Sequence, residues 1–532
     1  MQSSTKDELI KTFFTCNKKE VLKIFEELLD SMEAEEALPP GTLMSGNYET
    51  AQANPEINTL PGNLKDARDA VFPFFWGTDG WYSKLHLENV KGPANYASLI
   101  GAIACLMKNP NLCVDTYSQR SNELEIKAIT SLANLIFYNT DTPWGFFTMG
   151  GTISNLYGGK IGIEKVLPGT MQKGLQGQEL AAIVSEAAHY SNKTLAGWLG
   201  IGTDNLISIP VDMNFSIRQD LLAEALDKLY GEKKLVAFIV ATFGATDTFG
   251  IDDIAGIRRI IEDKAKQYSV PVPYLHVDAA VGWAICVFLE YNLSTNPLSF
   301  SDDALAVIAK AIKHAKTFKY ADSATIDFHK MGWGHYPASA FIVNHRKDLK
   351  YLARSMEEVP YFSEAEYRHD PALFTLECSR PAIGPYSVMA SLNGIGLTGY
   401  QILLAHAMEM AAYTKKRLDE LDYCKVLNKE CIGPHVTWWV LPKGRNAKMI
   451  YEQLVNGELS ETNVQRFFLE IRRLFDKRNL AMNPEIDARL SFTNAAGYSP
   501  HKIAIPAWKA VFFNPKTDKQ VIDDLIRSIE EL

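Results

Sequence analysis

Several features that would narrow a reading are missing from this 532-residue chain. There is no CxxC pair, and the seven cysteines (Cys16, Cys105, Cys113, Cys286, Cys378, Cys424 and Cys431) are odd in number. That argues against a disulfide framework and for a reducing compartment. No metal site is expected. No basic cluster is dense enough for nucleic acid or an anionic membrane, and the net charge of −9 is spread along the chain. The N-terminus, MQSSTKDELIK, lacks an apolar stretch behind a basic start, so no secretory signal is expected. An uncharged apolar run near 18 residues is not apparent, and a transmembrane helix is not expected. Internal repeats and low-complexity segments are absent too. The expectation is a cytoplasmic protein.

What is present is the composition of an ordinary globular protein, 47% hydrophobic and 22% charged. The length suits two to four domains, or one large α/β domain with smaller additions. Residues 5–37 carry Leu9, Ile10, Phe13, Phe14, Val21, Ile24, Phe25 and Leu28 near helical spacing, which predicts one or two amphipathic helices. Residues 38–73 are rich in Pro, Gly and Asn and predict a looping or extended arm. From about residue 95, β-rich runs alternate with helical stretches such as 217–230 and 253–267. The runs are AAIVS (181–185), NLISIPV (205–211), KLVAFIVATFG (234–244), YLHVDAA (274–280), SATIDF (323–328) and ASAFIV (338–343). Apolar strands separated by helices predict a mostly parallel sheet covered on both faces, with ligands beyond the strands' carboxyl ends. Past residue 400 the pattern changes. A helix (401–421), HVTWWVL (435–441), a helix near 462–477, ARLSFTN (488–494), AWKAVFFNP (507–515) and a last helix (517–531) predict a smaller α+β domain. The expected division is an N-terminal helical arm over 1–95, a large domain over 96–400 and a small one over 401–532.

Five polar signatures fall at or near the ends of β-rich runs. Gly150 and Gly151 precede Thr152 and a helical segment; paired glycines there admit a phosphate to the helix N-terminus, or simply make a capped turn. No GK[ST] follows, which excludes a Walker loop. His189 follows AAIVS and, read alone, suits a hydrogen-bonded loop histidine equally well. Thr246, in TFGATDTFGIDDI, has turn chemistry as its plain alternative. Asp278 closes an apolar strand, where a carboxylate requires a partner: a protonated pyridine nitrogen, a metal or an N-cap. The small Ala279 and Ala280 behind it would let a flat ring lie against the backbone. Lys330, after His329 in TIDFHKMGWG, is either a surface lysine or a desolvated amine made nucleophilic toward an aldehyde. Taken together and in this order, the five match the needs of pyridoxal 5′-phosphate (PLP): phosphate donors, a stacking ring, a carboxylate for the pyridine nitrogen and a lysine for the aldehyde.

These motifs resemble those of the group II PLP-dependent amino-acid decarboxylases. LHVDAA, TIDFHKMGW, PASAFIV and TLECSRP are most similar to the bacterial tyrosine decarboxylase branch, and the ending AVFFNPKTDKQVIDDL (510–525) is family-like. The resemblance implies the aspartate aminotransferase-like PLP fold (fold type I), α/β throughout the large domain. It implies that Lys330 bonds the cofactor aldehyde, Asp278 keeps the pyridine nitrogen protonated and His189 stacks on the ring. Gly151, Thr152 and His329 would surround the phosphate, Thr246 would lie near the ring or His189, and Ala280 would pack on the other ring face. Arg380 matches a position near the substrate-binding end. Tyr361, 18 residues before Ser379 in a polar segment, is the expected proton donor to the α-carbon, with Tyr367 next in line. The implied reaction is decarboxylation of an L-amino acid, aromatic by expectation and tyrosine as the example, in a homodimer clasped by the N-terminal 70 or so residues. An oxygen-dependent aldehyde synthase, a carbon–carbon lyase and a catalytically silent scaffold on the same fold are the alternatives. Phe146, Phe147, Trp283, Trp333 and Tyr336 hint at an aromatic substrate or at core packing. The chain departs from the family pattern at Phe328, where many relatives have proline, and at Val281, where many have an aromatic residue; TYSQRSNELE (116–125) matches the usual SPxxTELE only loosely.

Overall fold

The structure, a computed structural model, describes residues 2–15, 18–36, 46, 48–53, 60–74, 81–136, 143–354 and 370–532. Two sheets organise it. The strands in chain order are β1 (His86–Leu87), β2 (Trp144–Thr148), β3 (Leu180–Ser185), β4 (Leu206–Ile209), β5 (Leu235–Thr242), β6 (Tyr274–Asp278), β7 (Ser323–Asp327), β8 (Ser339–Val343), β9 (Cys424–Val426), β10 (His435–Val440), β11 (Arg489–Tyr498) and β12 (Ala504–Val511). The larger sheet runs β2-β8-β7-β6-β5-β3-β4, and the smaller β1-β11-β12-β10-β9. β4, β3, β5, β6 and β7 pair in parallel; β8 alone is antiparallel to both its neighbours, β7 and β2. Each of the six β-rich runs of the central region becomes a strand. β2 is an additional edge strand, which the sequence reading had absorbed into the glycine motif.

β3, β5, β6 and β7 are almost wholly buried because helices cover both faces, while β4 at the sheet edge is only partly so. Their apolar runs supply the main core on one side (Ile239, Leu275, Val277, Ala324, Ile326) and, on the other, the layer under helix Gly151–Val166 (Phe238, Val240, Tyr274). Helix starts are fixed by side chains: Asp253 accepts from Gly256 N–H and Ser301 from Ala304 N–H, caps of about 1 kcal/mol each.

Four expectations change. The stretch 38–73 is not uniformly extended: among its described residues are helices Tyr48–Ala53 and Leu64–Val71, the latter opened by a capping box of Asn63 and Asp66. The helix expected from residue 401 begins at Ile383 and runs to Asp419 with a kink at Gly396, so residue 400 falls inside it. This helix also corrects the reading that no long uncharged run exists, since residues 381–408 contain no Asp, Glu, Lys or Arg. By length and composition it is long and apolar enough to cross a membrane. In the fold it packs against helices Tyr96–Lys108, Arg120–Ile136 and Asp302–Ala315. β1 pairs in parallel with β11, which brings residues 86–87 into the C-terminal sheet.

Candidate active site

β6 and β7 are parallel neighbours, so the residues at their carboxyl ends emerge side by side. Lys330 does not end β7; it lies in a one-turn helix, Phe328–Met331, that follows the strand. Its Nζ stands 2.8 Å from Oδ2 of Asp327, the last residue of β7. Burial favours the neutral amine, but the attraction and hydrogen bond of Asp327, with Asp278 and Tyr336 adding to them, outweigh it and raise the lysine pKa. Beside Asp327 the amine is thus held toward its ammonium form, against the desolvation that favours the neutral amine. Asp327 is itself buried, which opposes its charge, yet Lys330, His329 and a 2.6 Å hydrogen bond from Ser339 Oγ hold its pKa below the usual value.

Gly151 opens the helix Gly151–Val166 beside this pair. A Cβ on Gly151 would stand 2.9 Å from Asp327 Oδ2, so only glycine brings the helix N-terminus this close to the carboxylate. Thr152 is exposed on the first turn. His329 Nδ1 accepts from Ala338 N–H (3.3 Å), its ring lies 3.8 Å from the Tyr336 ring, and burial lowers its pKa to about 4, leaving it neutral.

Asp278 Oδ2 accepts from Asn155 Nδ2 at 2.8 Å, and Oδ1 from the N–H of Ala280 at 3.2 Å. His189 sits in the turn after β3, with Nδ1 2.8 Å from Ser191 Oγ. Burial lowers its pKa, against the attraction of Asp278, so the ring is neutral. Thr246 and His189 share a cavity of about 360 Å³, whose wall includes residues 495–498 from β11. Lys330, Asp327, Asp278 and His189 are thus gathered within electrostatic reach of one another. Tyr361 and Tyr367 lie outside the described residues.

Arg380, expected near the substrate-binding end, borders a cavity with Phe147, Met149 and Pro337 and is engaged inside the protein. Its guanidinium is buried in a two-pronged pair with Glu125 (2.7 and 2.8 Å) and also donates to the carbonyls of Phe147 and Leu112. It ties helix Arg120–Ile136 to β2 through both terminal nitrogens, while its buried Nε has no hydrogen-bond partner. Of the five aromatics, Phe146, Trp283 and Trp333 are core packing; Phe147 is buried but lines a cavity, and Tyr336 is half exposed against His329.

The donor set fits a phosphorylated pyridine aldehyde. A glycine-opened helix N-terminus offers N–H groups to an anion, a lysine can bond an aldehyde, and a strand-end carboxylate has room left to accept a ring N–H. Residues 40–441 match the pyridoxal-dependent decarboxylase conserved domain. The chain belongs to that family. Among its relatives are an acidic amino acid decarboxylase of Xenopus tropicalis, 24% identical over 73% of this chain and 67% of the relative, and an L-tyrosine decarboxylase of Levilactobacillus brevis, 28% identical over 53% and 46%. The fold matches that of the Oryza sativa TDC solved with PLP and tryptamine, with a TM-score of 0.78 at 15% identity over 98% of this chain and 99% of that one. This pyridoxal-dependent decarboxylase is accordingly a PLP enzyme acting on an amino acid, with fold type I architecture. The sequence reading passed over Asp327, Asn155 and His276. Asp327 lay inside the quoted motif DFHK, and its signal was the alternation S-A-T-I-D that carries it onto the same strand face as Ser323 and Thr325.

Proposed function

We propose that this enzyme decarboxylates an aromatic L-amino acid, with tyrosine as the first candidate, to the amine and CO2. The observation that supports the choice of side chain is the lining of the cavity at the ECSRP segment, taken as the place of the substrate side chain. The cavity of about 240 Å³ at the ECSRP segment is bordered by Phe147, Met149, Pro337 and Arg380. Arg380 is the basic residue of that lining, and Glu125 already neutralises it. An acidic substrate's second carboxylate therefore lacks a free counter-charge and meets Glu377 in the lining, whereas an aromatic ring meets Phe147, Met149 and Pro337. The named activity of the Levilactobacillus brevis relative is consistent with this reading; that of the Xenopus tropicalis relative favours an acidic substrate.

When bound, PLP supplies an aldehyde for the substrate amine and a ring that accepts the electron pair left by departing CO2. Lys330 would hold the aldehyde carbon and give it up to substrate. Asp278 would keep a proton on the ring nitrogen, a fixed charge opposite the one that develops. His189, neutral and half buried, would cover one ring face and Ala280 the other, with Thr246 beside His189. The N–H groups of Gly151 and Thr152, with His329 next to them, would hold the phosphate. Tyr361 would deliver the proton to the α-carbon. We also infer a homodimer: helix Lys18–Glu36 exposes Leu22, Phe25 and Leu29, a face that a second copy would cover.

The test is an amine-release screen over the twenty L-amino acids, DOPA and ornithine with added PLP, run beside a visible spectrum and light scattering. The expected outcome is one aromatic amine, an absorbance band lost in Lys330→Ala, and a dimeric mass. Amine from aspartate or glutamate alone would overturn the aromatic reading. A band with aldehyde in place of amine would favour an aldehyde synthase.

A further inference from the structure

Behind Asp278 lies a chain of buried polar groups that no step above uses. Asn155, in the helix over the sheet, is 2% exposed, and its Nδ2 donates to Asp278 Oδ2 (2.8 Å). Its Oδ1 accepts from Thr325 Oγ1 (2.6 Å) and faces His276 Nε2 (3.0 Å). His276 Nδ1 in turn lies 2.8 Å from Ser323 Oγ. His276 and Asp278 are two apart on β6, Ser323 and Thr325 two apart on β7, and the register sets His276 beside Ser323 and Asp278 beside Thr325. One face of each strand therefore supplies His276, Asp278, Ser323 and Thr325, and the helix supplies Asn155.

The inventory of donors and acceptors orients these bonds. Burial drives the His276 pKa down to about 3, so the ring carries one proton. Nε2 also lies 3.0 Å from Thr325 Oγ1; with the Thr325 proton given to Asn155 Oδ1, an oxygen that only accepts, the tautomer that satisfies both Nε2 contacts carries its proton on Nε2, and Nδ1 accepts from the Ser323 hydroxyl. Two donors then converge on Asn155 Oδ1. Turning the amide over would put its oxygen against the Asp278 carboxylate and its NH2 against the His276 N–H, leaving buried groups unpaired on both sides. Space confirms the fit: a Cβ on Gly158, one turn beyond Asn155, would stand 2.6 Å from the His276 ring.

We propose that Asn155, oriented by His276 and Thr325, is the positioning residue that fixes Asp278 toward the pyridine nitrogen. The network is neutral throughout. It holds one carboxylate oxygen through the Asn155 amide, the Ala280 N–H holds the other, and the full negative charge is left for the ring N–H. A charged partner in place of Asn155 would spend that charge inside the protein.

The inference rests on the assignment of Asp278 given above, and the experiment separates the two. PLP labelled with 15N at the ring nitrogen is bound to the full-length wild type and to Asp278→Asn, Asn155→Leu and Thr325→Val, and its 15N resonance is recorded across pH. Asp278→Asn moves the resonance to the unprotonated position if the assignment is right. Asn155→Leu is expected to move it in the same direction and to lower kcat by roughly tenfold or more with little change in KM, the scale of a lost hydrogen bond to a charged group. Thr325→Val, nearly isosteric, is expected to shift it less and in the same sense, and it decides the matter if Asn155→Leu does not fold. An unmoved resonance in Asp278→Asn overturns the assignment. A resonance that moves in Asp278→Asn but stays put in the folded Asn155 or Thr325 variant overturns the role of Asn155.

Discussion

Replacing Glu125 with alanine separates a structural role for Arg380 from a substrate-binding one. Arg380 is 4% and Glu125 0% exposed at the side chain, and their two oxygens and two terminal nitrogens meet at 2.7 and 2.8 Å. Glu125 Oε1 also accepts from the Phe147 N–H at 2.9 Å, so its loss uncovers a guanidinium and a backbone donor together. Arg380 Nε already lacks a hydrogen-bond partner. Breaking one side of such a buried pair costs about 3–5 kcal/mol. With a urea dependence of a few kcal/mol per M, the unfolding midpoint falls by roughly 1 M. The double variant Glu125→Met, Arg380→Met removes both charges and is expected to recover most of the loss, because a well-packed apolar pair in the same volume is often no less stable. The assay is urea unfolding followed by tryptophan fluorescence, with kcat and KM measured in native buffer. An unchanged midpoint in Glu125→Ala together with a KM raised for every amino acid would refute the structural assignment and return Arg380 to the substrate.

Asp327→Asn removes the carboxylate that keeps Lys330 protonated, so the amine forms at lower pH and the pH profile for PLP uptake by the cofactor-free enzyme shifts to lower pH; stopped-flow absorbance reads it, and an unshifted profile would refute the pairing. The same pair sets a stability window. Asp327 has its pKa lowered, so its contribution is present above the usual aspartate pKa and lost as pH falls through the depressed value; Lys330 has its pKa raised, so its contribution is lost only as pH climbs through that raised value. Tyr361→Phe is expected to lower amine formation and raise aldehyde, with O2 consumed; an unchanged ratio of the two products would exclude Tyr361 as proton donor.

The parallel strands were legible because each is a short apolar run between helical patterns, and burial on both faces demands that composition. β2 was not, since W-G-F-F-T borders the glycine turn and its pairing with β8 is a long-range contact that no local signal announces. The kinked helix Ile383–Asp419 hid for a related reason: Gly394, Gly396 and Gly399 read as a loop, while tertiary packing carries the helix past them. Lys330 and Asp278 were proposed from their motifs, and the parallel pairing of β6 with β7 places the ends of those two strands side by side. What no motif conveyed was the pairing of Lys330 with Asp327, which raises the amine's pKa against the effect of burial. Arg380 was legible only by its place in the chain, near the substrate-binding end; its partner Glu125 is 255 residues away.

The polar stripe across β6 and β7 explains how an apolar sheet carries this chemistry without losing its core. In Y-L-H-V-D and S-A-T-I-D every second residue faces the helix Gly151–Val166, and the residues between them (Leu275, Val277, Ala324, Ile326) feed the main core on the opposite face. Each buried polar group left unmatched would cost about 1–3 kcal/mol. Parallel pairing in register is what matches them: slide β7 by one residue and Ser323, Thr325 and Asp327 turn to the apolar side, stranding His276 and Asn155. The register that satisfies the buried network is therefore the one that brings Asp327 and Lys330 out beside Asp278. Folding cost and site geometry are set by the same alternation, and a substitution that disturbs Asn155 or His276 is felt at both.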